Sequence, residues 1–291
     1  MLVRDILSWW TRPRFLWPGA RPSDTLFAGP WVGEFGWELM SWQGMVRKLA
    51  PRYKRVIISC RPESQALYQD FATDFVVHQA RGAADCNALK NVQNPEELVA
   101  VQQQVPPEAD WLRPLGHQPP DRQHFVRFGK SRSEFQTDIL FHPRGRQFDD
   151  SRNYTRESWN ELVAQLSAQG YRLACIGLSR ATLDVEGDFV DRRDQPLQQT
   201  MDDMASTRLV IGPSSGPMHL ASLCGTPHLV WADRRRFARG LRSRDKYEWA
   251  WNPLGTHAVV YDAEGFQPRV AKVAELVTQT LQSPAKAPRE T

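Results

Sequence analysis

The sequence predicts an α/β protein of two doubly wound, parallel-sheet domains. Three observations carry this. Short apolar runs alternate with segments of helical spacing in two successive blocks, one starting near Thr25 and one near Asp138. At 291 residues the chain is long for a single core. Residues 209–231, LVIGPSSGPMHLASLCGTPHLVW, read without a break as strand, Gly/Ser turn, helix and strand.

The first block begins with a strand at 26–28, which enters the loop Gly29-Pro30-Trp31-Val32-Gly33-Glu34-Phe35-Gly36. A helix is expected over 37–49, a strand over 56–59, a helix over 63–71 and a strand over 75–78. A further helix over 95–104 is stopped by Pro106-Pro107. Residues 113–122 are rich in Pro and Gly and read as an interdomain region or a loop near one. Residues 1–22 form a basic, aromatic arm whose Ile6, Leu7, Trp9 and Trp10 fit a short amphipathic turn. Such an arm packs on its own domain or lies on a partner or membrane surface.

The second block opens with a strand at 138–141 and the loop His142-Pro143-Arg144-Gly145-Arg146. Thr155 caps a helix over 156–168, and Gly170 follows its end. A strand at 173–176, a short connection through 183–191 and a helix over 197–206 come next. After the 209–231 unit, a short strand at 259–261 and a helix over 270–281 complete the block, and 283–291 reads as frayed. The domains are therefore placed at 23–135 and 136–265, with the arm 1–22 before them and a terminal helix and tail, 266–291, after them.

Hydrophobic residues make up 41% and charged residues 24%, which excludes a disordered chain. No apolar run approaches the roughly 20 residues that span a bilayer. The N-terminal segment does not read as a signal peptide, because arginines interrupt its apolar residues. Cys60, Cys86, Cys175 and Cys224 have no paired spacing and read as reduced thiols of a cytoplasmic protein. The net charge of +4 favours acidic substrates without demanding nucleic acid. The charge is concentrated in 233–246, DRRRFARGLRSRDK, where Arg234, Arg235 and Arg236 fit either a solvated loop or a polyanion contact. Several of the 11 tryptophans gather between Trp31 and Trp42, Trp37 among them, and at Trp249 and Trp251. They fit sugar- or base-stacking surfaces, or core packing.

A strand feeding a Gly/Ser turn into a helix aims unpaired backbone N–H groups and the helix dipole at one point, a site for phosphate. Ser214, Ser215, Gly216 and Pro217 form that turn, and Pro217 suits the first helical turn because it has no N–H. An ordinary αβ connection with a serine cap has the same pattern. His219, one turn in, is placed to hydrogen-bond a phosphate or to pack as a buried histidine. Arg144 and Arg146 follow one strand end, and Gly177 closes another. Asp149-Asp150 and Asp202-Asp203 lack metal-type spacing with a third ligand and read as surface or capping residues.

From Ile139 to about Trp231 the sequence resembles the donor domain of the ADP-heptose:lipopolysaccharide heptosyltransferase family. The shared features are the His-Pro loop, the Trp159 that opens a helix, and the run Ser215-Gly216-Pro217-Met218-His219-Leu220-Ala221. Ser214 stands where that family usually has Asp. The Gly33-Glu34-Phe35-Gly36 loop resembles the Gly-Glu loop of the related Kdo transferases, whose Glu is the catalytic base. The resemblance implies a GT-B fold: two Rossmann-like doubly wound parallel-sheet domains with a cleft between them. It implies a metal-independent, inverting glycosyltransferase without a cofactor, whose donor is a nucleotide-diphosphate sugar. Arg144, Arg146, Gly177, Ser214, Ser215, Gly216, Pro217 and His219 would bind that donor. Glu34 is the expected base, and Glu38, one helical turn on, the second candidate.

The expected acceptor is a hydroxyl of a glycan or lipopolysaccharide-type glycolipid, or a hydroxymethylated DNA base. Trp37, Arg234, Arg235 and Arg236 are candidates to meet it. The arm would add peripheral contact with the inner membrane surface. Two other functions fit the same architecture, a sugar-nucleotide 2-epimerase and a non-catalytic nucleotide-sugar- or glycan-binding module.

Overall fold

The computed structural model describes residues 23–82, 92–114, 116–147, 149–233 and 243–282. The arm 1–22, Cys86, Arg234, Arg235 and Arg236 lie outside the described residues. The chain divides into two units, Met1–His124 and Phe125–Thr291.

Unit 1 carries a parallel four-stranded sheet in the order β3-β2-β1-β4. Its strands are β1 (Thr25–Ala28), β2 (Arg55–Cys60), β3 (Asp74–Val77) and β4 (Asp110–Leu112). Because β1 pairs with β2 on one side and β4 on the other, the strand order reverses beside β1. Ligands of open parallel sheets sit at such switch points, beyond the carboxyl ends of the strands. The chain leaving β1 there is 29–34. Only glycine fits at Gly29, which has φ +119° and where a Cβ would lie 2.3 Å from the Ser59 carbonyl oxygen.

Helix α1 follows as three continuous stretches, Phe35–Trp37, Glu38–Trp42 and Gln43–Leu49. The middle stretch is a wider π turn, in which the Gln43 N–H reaches back to the Glu38 carbonyl. The expected helix over 63–71 is instead a 3₁₀ segment, Pro62–Leu67. Helix α2 (Pro95–Gln103) matches its prediction closely. Strand β4 was not predicted. Its three residues are too short for a period, and prolines flank them.

Unit 2 carries a parallel six-stranded sheet in the order β10-β9-β8-β5-β6-β7. The strands are β5 (Ile139–Phe141), β6 (Leu173–Cys175), β7 (Val190–Asp191), β8 (Leu209–Pro213), β9 (His228–Asp233) and β10 (Ala258–Ala263). The helices are α3 (Arg156–Ala168), α4 (Leu197–Ser206), α5 (Gly216–Cys224), α6 (Ser243–Ala250) and α7 (Val270–Gln282). The order reverses between β5 and β8, which pair in the register Ile139↔Leu209 to Phe141↔Ile211. The turn into α5 therefore leaves the sheet at its switch point.

Helix α3 starts as expected, with the Thr155 hydroxyl accepting the Ser158 N–H at 3.1 Å. Helix α6 was not predicted. It lies within and just beyond the basic segment, where no apolar stripe marks a helix. Helix α7 packs into the unit 2 core through Val270, Val273, Ala274 and Val277.

That core centres on an aromatic cluster. Trp159 is fully buried, with ring centroids 5.6 Å from Phe141, 5.6 Å from Tyr154 and 5.5 Å from Trp231. Trp159→Ala removes the hub and leaves a large cavity. It should lower the stability of unit 2 by about 3–5 kcal/mol, read from denaturant midpoints. A loss below about 1 kcal/mol would show that the cluster collapses freely around the gap.

Candidate functional site

Parent strands fix where each candidate residue stands. In unit 1, Glu34 is the N-cap residue of α1, half-buried, with its backbone extended at ψ 147°. Its carbonyl accepts the Glu38 N–H at 3.0 Å. Glu34 thus ends the segment that leaves β1 at the switch point.

Glu38 is different. It is wholly buried, and its carboxylate accepts from Arg61 Nη2 at 3.2 Å, Ser64 Oγ at 2.8 Å and Tyr68 OH at 2.9 Å. Burial pushes its carboxyl up, while Arg61 and the two hydroxyls pull it down. A carboxylate so enclosed cannot reach an acceptor, so the expectation of Glu38 as a base is corrected: it is a buried counter-charge.

The tryptophan expectation also changes. Trp31 and Trp42 stack on each other at 5.8 Å, both buried, as core packing and not a sugar platform. Trp37 is half-buried and meets the His117 ring edge-on at 5.2 Å. Trp249 is 60% exposed, and Trp251 lies flat on His219 at 4.4 Å.

In unit 2 the turn residues divide. The Ser214 N–H extends the sheet ladder to the Trp231 carbonyl at 2.9 Å, and its carbonyl accepts from Arg152 Nη2. The backbone N–H is thus spent within the sheet and not available to a phosphate, a correction to the expected backbone role of Ser214. Ser215 caps α5. Its hydroxyl oxygen is buried and has no hydrogen-bond partner. The opening turn of α5 holds Gly216, Pro217 and Met218. There the N–H groups have no helical partner by geometry, and Pro217 has none to offer. His219 is 5% exposed, and burial first, then Arg152 and His228, hold its imidazole down at about 3. It packs flat on Trp251, and its burial disfavours the charged form.

Arg144 was expected to approach a phosphate and does not. It is 2% exposed, and its Nη1 donates to the Asp149 carbonyl at 3.0 Å and to Asn153 Oδ1, tying down the loop after β5. Arg146 lines an open depression of about 330 Å³ together with Gly145, Gln147, Arg180 and Ala181. Gly177 is a packing glycine with φ +122°, and a Cβ there would lie 2.8 Å from both His142 Nδ1 and Thr182 Cγ2. Asp203 was read as a surface or capping residue. It is wholly buried and paired with Arg132 and, at 3.1 Å, with Arg192. Among the described residues, no group of three or more His, Cys, Asp or Glu is placed to hold a metal ion. No described helix is long and apolar enough to cross a membrane.

Two arginines escaped sequence reasoning. Arg152 comes from the 3₁₀ turn Asp150–Arg152 and brings its guanidinium to the start of α5. Arg61 follows β2 and reaches the Gly33 carbonyl at 2.9 Å. A signal existed for both: each is a cation just after a strand or loop at a carboxyl edge. Nothing in the spacing identified its partner.

No protein-family model matches the chain, and no curated protein matches it in sequence. Solved structures do resemble it. E. coli ADP-heptose LPS heptosyltransferase II has 14% identity and a TM-score of 0.53, over 88% of this chain and 98% of that one. A family 9 glycosyl transferase from Veillonella parvula DSM 2008 has 11% identity and a TM-score of 0.56, over 88% and 96%. TibC from enterotoxigenic E. coli H10407, an iron-containing dodecameric glycosyltransferase, has 12% identity and a TM-score of 0.54, over 90% and 78%. At such identities the likeness establishes the fold, two Rossmann-like parallel α/β units of the GT-B kind.

Proposed function

We propose that the chain is a glycosyltransferase that moves a sugar from a nucleoside-diphosphate donor to an acceptor hydroxyl. One observation carries this reading. The N-terminus of α5 stands at the switch point of the unit 2 sheet with a guanidinium, Arg152, and a buried, unpartnered hydroxyl, Ser215, at its mouth. A helix terminus, a cation and a hydroxyl donor together suit an anion of about two charges, such as a diphosphate. The GT-B neighbours, named as heptosyltransferases and glycosyltransferases, support the same reading.

In the proposed reaction, Glu34 takes the proton from the acceptor hydroxyl. That oxygen bonds to the anomeric carbon as the bond from this carbon to the diphosphate oxygen breaks. The electron pair leaves with the diphosphate, whose growing charge meets Arg152 and the α5 dipole. A single displacement inverts the anomeric centre. The counter-charge is assigned to protein groups, so EDTA should leave turnover unchanged. The acceptor class is a saccharide hydroxyl of a glycan or glycolipid.

Binding is the direct test. One of ADP, GDP, UDP and TDP at millimolar concentration should raise the melting temperature of the protein. Arg152→Ala should weaken that nucleotide about 10- to 100-fold by calorimetry, the worth of a charged hydrogen bond. Equal affinity in the variant, or no binding of any of the four, would overturn the donor site. Release of nucleoside diphosphate from a nucleotide sugar only with acceptor present supports transfer. Loss of donor without release indicates epimerisation instead.

A further inference from the structure

Four side chains of unit 1 form a buried network beneath the Glu34 turn, with the carboxylate of Glu63 at its edge, 3.8 Å from Arg61 Nε. Arg61 is 5% exposed, and its Nη1 donates to the Gly33 carbonyl at 2.9 Å and the Val32 carbonyl at 3.3 Å. Its Nη2 donates to Glu38, which Ser64 and Tyr68 hold from the other side. The Gly82 N–H adds a second donor to the Val32 carbonyl, at 2.8 Å. Glu34 is thus bracketed. Arg61 grips the carbonyl before it, and the N–H of Glu38 grips its own carbonyl. The first grip comes from the buried ion pair, and the second is the backbone bond of the helix that carries Glu38.

Stability alone is a weak account of this pair. A buried Arg–Glu pair is often no better than an apolar replacement of the same volume, because both charges lose their hydration. Geometry accounts for it better. The planar guanidinium reaches two carbonyls and a carboxylate at fixed angles, which a lysine ammonium cannot do.

We propose that Arg61 is a positioning residue for Glu34, with Glu38 the fixed anion that orients Arg61. This rests on the reading of Glu34 as the base. A base displaced by about 1 Å loses up to roughly 100-fold in rate, so holding its backbone from both sides has a kinetic consequence.

The test uses the full chain and four variants: Arg61→Lys, Glu38→Gln, Glu34→Gln and the double variant Arg61→Lys/Glu34→Gln. Turnover is read as nucleoside diphosphate released from whichever of ADP-, GDP-, UDP- and TDP-glucose the protein uses, and backbone order as amide hydrogen exchange. In Arg61→Lys, exchange at residues 31–36 should rise about tenfold or more while β1 and β2 stay protected. Its kcat should fall about 10- to 100-fold with the donor KM within about twofold. Glu38→Gln, which keeps the shape and loses the charge, should move both readouts the same way by less. In the Glu34→Gln background, Arg61→Lys should lower kcat no further, since it acts through Glu34.

Unchanged exchange at 31–36 would overturn the proposal. So would protection lost across the whole sheet, which would make Arg61 a folding residue. Multiplying rate losses in the double variant would overturn it as well. Full activity of Glu34→Gln would instead remove the base reading, and the exchange data would still decide whether Arg61 holds the turn.

Discussion

Glu34→Gln should fold, bind nucleoside diphosphate as the parent does, and transfer sugar about 100- to 10,000-fold more slowly. The amide keeps the shape of the side chain and cannot accept the acceptor proton, which is the range expected on losing a general base. Glutamine keeps the size and hydrogen-bonding shape of this half-buried side chain, so the variant should stay folded, with a loss of about 1 kcal/mol or less. On the proposed reading the nucleotide is held by unit 2, so its binding should not change. The measurements are kcat, nucleotide Kd by calorimetry, and melting temperature on one preparation. A fall in kcat and Kd together would place Glu34 in donor binding. A kcat within twofold of the parent would exclude it as the base.

Acid should unfold unit 2 before unit 1. Three buried histidines of unit 2 are held neutral far below the ordinary value of 6.5. Burial is the first cause for each. His142 is held at about 4, where the Arg144 and Arg146 charges also push down and the Ile176 carbonyl pulls up. His219 is held at about 3, with Arg152 and His228 adding to the effect. His228 is held at about 4, with the Thr226 carbonyl opposing and His257 adding. Unit 1 has one such group among its described residues, His78 at about 4, where burial acts first and Arg61 second.

The sign follows from proton counting. Below pH 6.5 the unfolded chain protonates these rings while the folded chain does not. Stability is therefore complete above 6.5 and is lost as pH falls toward the folded values. Each ring removes about 1.4 kcal/mol per pH unit in that window. Three rings acting together would exhaust a typical stability of about 5–15 kcal/mol within a few pH units. Asp203, whose carboxyl burial pushes up, acts with the opposite sign and blunts the drop. Calorimetry from pH 7 to 4.5 should show the unit 2 transition falling steeply below 6.5, with unit 1 following less. A melting temperature flat to pH 5 would refute the assignment.

Much of unit 2 was legible because its signals are local. Helices α3 and α4 begin and end where Thr155, Gly170 and the apolar spacing place them. The strand–turn–helix at the start of α5 is one continuous stretch of chain, so Ser215 and Gly216 could be read from their neighbours alone. Strand β4 and helix α6 carried no such pattern. Three residues between prolines show no period, and α6 is mostly charged and polar. They form because a sheet edge or a packed surface meets them, which no window of the sequence contains.

The site divides in the same way. Sequence singled out the loop after β1 and named two carboxylates one helical turn apart, Glu34 and Glu38. It put Glu34, at the strand end, ahead of Glu38, but could not show what surrounds either carboxylate. The fold brings Arg61, Ser64 and Tyr68 from beyond the next strand to enclose Glu38. Arg144 and Arg152 both tie down the loop after β5, and Arg152 also reaches the Ser214 carbonyl at the start of α5. By itself the sequence determined the alternation of strands and helices and hence two parallel sheets with their switch-point turns, because backbone periodicity and turn chemistry are local. The tertiary structure alone decided which polar side chains are buried and enclosed, as Glu38 and Arg144 are, because a charge is neutralised by whatever the fold brings within about 3 Å, however distant in the chain.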